Sequence, residues 1–145
     1  MQNYANHTRY YPLHHYVVTP LTLILLSWSF WNLAEVFAAG GDWLRELYLV
    51  LVAAILFLLP VISRIYALKN QNRIIRLEMR LRYFQLTGKP FTHQEKKLTM
   101  GQIIALRFAS GRELIPLMDR AIGEKLSPRQ IKKAIQDWQG DTLRV

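Results

Sequence analysis

The sequence predicts an all-α protein: a two-span transmembrane helical hairpin whose second span continues as a long cytoplasmic helix, packed by a small C-terminal bundle of three short helices. Three observations predict it. Two apolar runs fill the first half of the chain, Val17–Ala39 with one formal charge at Glu35, and Leu47–Ile62 with none. A bilayer core about 30 Å thick takes about 20 apolar residues as a helix, so both runs qualify as spans, the second once Arg64 snorkels and Ile65 is counted. The remainder is basic, with 17 Lys and Arg against 7 Asp and Glu from residue 64 onward.

That imbalance predicts topology. Basic segments stay on the cytoplasmic side, and the short connection Gly40–Glu46 carries one Arg against two acids, so both termini are expected inside the cell. The division follows: residues 1–16 an interfacial segment, 17–66 the hairpin (17–39 and 44–66, with the turn at 40–43), and 67–145 a basic cytoplasmic helical domain. The leader has one Arg and no Lys, and its apolar run exceeds a signal-peptide core, which favours a retained span over a cleaved signal. With no cysteine, disulfides, thiolate metal sites and cysteine nucleophiles are excluded.

The leader is rich in Tyr and His. Tyr10, Tyr11 and Tyr16 suit the headgroup zone, where an amphipathic ring keeps its hydroxyl wet. His7, His14 and His15, with His93 more distant, have no metal-ligand spacing, so no metal and no cofactor is expected. In the first span Asn32 and Glu35 lie one turn apart and form an intramembrane polar pair. Gly40 and Gly41 make the turn. Pro60 removes one hydrogen bond near the end of the second span.

From Ser63 to Leu86 neither Pro nor Gly intervenes, and the helix should run on to Thr87–Gly88, with Pro90 just beyond. Steps of 100° give two apolar stripes. Leu68, Ile75, Met79, Tyr83 and Leu86 form one, and Ile74, Leu77, Leu81 and Phe84 the other. Lys69, Arg73, Arg76 and Arg80 run between them. A helix with two apolar faces must bury both. The first stripe is expected to serve self-association or an unidentified membrane partner, because Leu68, Asn72, Ile75, Met79, Arg82 and Leu86 follow a 4-3 alternation; the alternative is that the three C-terminal helices wrap both stripes within one chain. Arg64, Lys69 and Arg73 are expected to contact anionic headgroups.

Thr99–Gln102 and Ser127–Gln130 have capping-box spacing, and Pro128 takes the favoured first helical position. Ile103, Ile104 and Phe108 mark one helix. Leu114, Met118, Ala121 and Ile122 mark a second, with Pro116 in its first turn. Ile131, Ala134, Ile135 and Trp138 mark a third, running to Trp138. Glu35, Glu78, Glu95 and Asp119 show no pairing that would suggest catalysis, and no catalytic signature occurs.

The segments MQNYANHTRYYPLHHY, LKNQNRIIRLEMRLRYFQLTGK and IALRFAS…LSPRQIKKAIQDWQGDTLRV resemble an uncharacterised family of small bacterial membrane proteins. The likeness covers nearly the whole chain, its ending above all. It implies a two-span anchor in the bacterial inner membrane plus a helical cytoplasmic domain of unknown function, and offers no catalytic residue. The chain thus reads as a non-enzymatic, membrane-anchored interaction or scaffold module. A membrane-tethered nucleic-acid-binding protein is the alternative, disfavoured because no helix is dense in Arg, Asn and Gln.

Overall fold

A computed structural model describes residues 11–140. Among them, every regular element is helical. A six-residue π-helical stretch, Leu13–Val18, leads into α1 (Thr19–Ala38), followed by α2 (Trp43–Thr87), α3 (Thr92–Glu95), α4 (Met100–Leu106), α5 (Gly111–Gly123) and α6 (Pro128–Ala134). The chain divides into two compact units at Leu68/Lys69, within α2.

In the first unit, the π-helical entry has a local cause. Pro20 has no N–H and its ring crowds the carbonyl four residues back, which a wider turn relieves. Threonine hydroxyls bond to the carbonyls around it: Thr19 Oγ1 donates to the His14 carbonyl (2.7 Å) and Thr22 Oγ1 to that of Val18 (2.9 Å). At its other end α1 stops at a paired glycine. Gly40 takes φ +69°, a conformation that a side chain would oppose. Its N–H donates to the Phe37 carbonyl (3.2 Å), and Gly41 N–H to that of Val36 (3.0 Å). Both bonds together make a Schellman stop. Asp42 then caps α2, accepting from Leu44 N–H (3.2 Å). The Phe37 and Trp43 rings meet edge to face across the turn, 6.4 Å between centroids.

Low-exposure positions of both helices alternate by four and three: Thr22, Leu26, Ser29, Leu33 and Val36 on α1, and Glu46, Val50, Ala53, Phe57 and Pro60 on α2. That alternation marks a left-handed helix seam. Ser29 and Ala53 are buried, and their small side chains suit a close approach of two backbones. Leucines, isoleucines and aromatics point outward from both helices. α2 continues through Pro60 without a break.

In the second unit, the later part of α2 is one wall of a core formed with α3 to α6. Ile75, Met79 and Tyr83 are buried there with Phe91, Ile103, Leu106, Phe108, Leu114, Met118 and Ile131. Both capping boxes close as their spacing predicts. Thr99 and Ser127 each accept from the backbone three residues on, and Gln102 and Gln130 reach back. Gln102 also ties α4 to the start of α6, its Nε2 donating to the Leu126 carbonyl (2.8 Å). The two helices meet at Gly101, where a Cβ would lie 3.0 Å from Pro128 Cγ.

Two sequence expectations need correction. α5 begins at Gly111, so Pro116 lies well inside the helix and not in its first turn. The last helix ends at Ala134, since Ile135 is extended (ψ 124°). The chain beyond it runs antiparallel to Phe108–Ser110, with Ser110 N–H donating to the Asp137 carbonyl (3.1 Å) and Gln139 N–H to that of Phe108 (2.7 Å). Those backbone bonds compete with another helical turn. Trp138 therefore reaches the core from an extended segment, its ring 5.2 Å from Phe108, and remains partly exposed.

Two substitutions test this packing by thermal unfolding of the full chain in detergent. Gly101→Val should destabilise by about 1–3 kcal/mol, because the Pro128 ring cannot swing aside. Lys125 holds φ 53° at the end of α5, so Lys125→Gly should stabilise by about 0.5–1 kcal/mol.

Candidate interaction surface

Between Lys69 and Thr87, α2 presents three faces that differ in what covers them. The first is the row Ile75, Met79 and Tyr83, only 2%, 1% and 5% exposed. These are the central residues of the stripe expected to meet a partner, and the chain's own C-terminal helices cover them instead. Leu68 and Leu86 at its ends stay exposed. Tyr83 lies against Phe91, with 5.2 Å between ring centroids. Arg82, which interrupts the apolar row in sequence, explains why it closes inward. Its Nη1 donates to the Arg107 carbonyl (3.0 Å) and its Nη2 to the Ala109 carbonyl. Carbonyls just past a helix end have no intrahelical donor, and a cation there also meets the negative end of the helix dipole. Burial pushes the guanidinium below its ordinary pKa, though an arginine in such a site remains charged.

The second face is basic. Arg76 and Arg80 are held by one carboxylate: Glu95 accepts from Arg80 Nε (2.7 Å) and Nη2 (3.1 Å), and from Arg76 Nη1 (3.4 Å). Glu95 thereby fastens α3 to α2. The Arg80 hydrogen bond is the largest cause holding its carboxyl below the ordinary value, and burial opposes it. Lys69 and Arg73, expected at headgroups, are exposed, while Arg64 is half-buried.

The third face is open. Ile74, Leu77, Leu81 and Phe84 are 55%, 62%, 59% and 56% exposed. Four large apolar side chains in one row on one helix exceed the scattered exposure of an ordinary surface. The sequence shows both stripes equally. The signal that separates them is Arg82: an arginine within an apolar row points to buried carbonyl acceptors, not to a helix seam.

The other candidates stay apart. Asn32 is half-buried and Glu35 exposed, and no hydrogen bond joins them among the described residues. His14 and His15 stack edge to face (5.0 Å), His93 lies on α3, and His7 and Tyr10 fall outside the described residues. Glu113, missed in sequence, accepts from the N–H groups of Gln136 and Asp137 (3.3 and 3.2 Å) and holds the segment after α6. It borders an open cleft of about 260 Å³ with Arg112, Pro116 and Arg120. Arg120 pairs with Glu124 (3.3 Å), so two of the charged groups there already have structural partners.

A family model described as a family of unknown function (DUF6526) matches residues 1–145. The chain belongs to the DUF6526 family. No curated protein and no solved structure matches it.

The Glu95 clamp predicts a pH dependence. A carboxyl whose folded pKa is lowered contributes stability above its ordinary value of 4.5, and that contribution is lost as pH falls through the lowered value. After allowance for the intrinsic slowing of exchange in acid, protection of the hydrogen-bonded Glu95, Lys97 and Leu98 amides should therefore fall as pH drops below 4.5 toward the lowered value. Glu95→Gln should show that weaker protection already at neutral pH and lose the pH step.

Proposed function

We propose that this DUF6526 protein is a membrane-anchored interaction module without enzymatic activity, held in the cell membrane by the hairpin of α1 and the first part of α2, with both termini in the cytoplasm. The open apolar face Ile74–Phe84 carries the reading, because it lies on the same helix as the apolar run that would anchor the chain. Four such side chains left in water are unfavourable, and burying them against a partner gains about 25 cal/mol per Å² of apolar surface.

Several features support the anchor. Both helices are long and apolar enough to cross a bilayer, and only 6% and 11% of their most apolar windows are buried. A core helix of a water-soluble protein would be mostly covered. Ser29 and Ala53 fit the small-residue contacts of helices packed in lipid, where apolar packing alone gives no preference. The Thr19 and Thr22 hydroxyl bonds suit a proline within a span, where Ser and Thr side chains help satisfy the local backbone. After the apolar run of α2, Arg64 and Lys69 come first and would meet anionic headgroups. Arg73 follows one helical turn after Lys69.

Alkaline carbonate should leave the full chain in the membrane fraction. Single cysteines at Ala5, Asp42 and Thr142 should react with an impermeant maleimide in intact cells only at Asp42. Release by carbonate would overturn the anchor, and labelling at Ala5 or Thr142 would overturn the orientation.

A further inference from the structure

We propose that the open face of α2 docks against the same face of a second copy, in parallel and in register, with Arg73 of each copy paired to Glu78 of the other. The proposal rests on the membrane-anchored reading and names the partner of that surface.

Spacing is the first argument. Asn70, Ile74, Leu77, Leu81 and Phe84 follow one another by 4, 3, 4 and 3 residues, and all five are exposed. That alternation is the seam of a two-stranded coiled coil, with Ile74 and Leu81 at one core position and Leu77 and Phe84 at the other. The row buried in the chain's own core, Ile75 and Met79, lies on the far side of the helix. A second copy can therefore approach without disturbing the fold.

Direction is the second argument. In two copies anchored in one membrane, the Lys69–Thr87 segments follow directly in sequence from the same residue of the same anchor, so the seams start side by side and pair in parallel. A closed, two-fold pairing of identical faces follows.

Charge decides the partner. In a parallel seam, the residue before one core position faces the residue five further along on the other helix. With Ile74 and Leu77 in the seam, those flanking residues are Arg73 and Glu78. Both are exposed. Among the described residues neither is held within its own chain, in contrast to Arg76 and Arg80, which Glu95 occupies. Two-fold symmetry then makes two Arg73–Glu78 pairs. The next flanking pair is Arg80 with Gln85, so no like charges oppose each other in these two flanking layers. Asn70, one heptad before Leu77, adds a polar layer at the start of the seam. A bilayer surface would leave Glu78 against anionic headgroups. The seam is short, but anchoring both copies in one plane raises their effective concentration.

The chain has no cysteine, so single cysteines report cleanly. Leu77→Cys and Leu81→Cys, each in the full-length chain in native membranes, should form disulfide dimers under mild oxidation, while Asp119→Cys on α5 should not. In the Leu77→Cys background, Arg73→Glu or Glu78→Arg alone should lower the crosslinked fraction about fivefold, and the two together should restore it. Absence of dimers at both Leu77 and Leu81, with the protein retained in the carbonate-resistant membrane, would overturn self-association and leave the anchor standing. Dimers indifferent to both charge swaps would overturn the Arg73–Glu78 register. Release by carbonate would overturn the anchor and the parallel geometry with it.

Discussion

The second unit depends on one charged contact at the edge of its core, the Arg82 guanidinium against the carbonyls of Arg107 and Ala109. It sits where α4 has ended and the chain turns toward α5, a place with acceptors and too few donors. Arg82 supplies them from α2 and so fixes which side of that helix faces inward. Once it is seated, Ile75, Met79 and Tyr83 point into the core. The Glu95 carboxylate then closes one flank by gathering Arg76 and Arg80. What remains outward is the row Ile74, Leu77, Leu81 and Phe84. The open surface is thus the face opposite the one that carries both the buried row and the Arg82 contact.

The two corrections at the C-terminal end share a cause. Ile131, Ala134, Ile135 and Trp138 have helical spacing, and the first three are buried or nearly so. Yet the N–H groups of Gln136 and Asp137 go to Glu113, and Gln139 N–H goes to Phe108. These acceptors lie more than twenty residues away, and no local pattern can reveal them. Pro116 misleads in a similar way. A proline usually opens a helix, but Ser110 and Gly111 begin this one earlier, and the buried row Leu114, Leu117, Met118 and Ala121 carries it past the lost hydrogen bond.

What the sequence made legible was local. Both capping boxes, the Gly40–Gly41 stop, the end of α2 before Gly88 and the continuity of that helix all follow from residues within a turn or two. The two stripes of α2 were also legible. Their assignment was not, because helical periodicity is blind to which face a distant segment will cover. Arg82 looked like a flaw in a seam, and the tertiary structure makes it the residue that closes the core. Glu95 looked unpaired, and Glu113 drew no notice, because their partners, Arg80 and the backbone of Gln136, are distant in sequence.

The central claim is that α2 has one face sealed by its own chain and the opposite face open. Spin labels placed one at a time from Arg73 to Gln85 in the detergent-solubilised monomer test it most directly, through collision with a water-soluble relaxation agent. Accessibility should oscillate with helical period, with maxima at Ile74, Leu77, Leu81 and Phe84 and minima at Ile75, Met79 and Tyr83. An oscillation of opposite phase, or protection of both rows in the monomer, would contradict it.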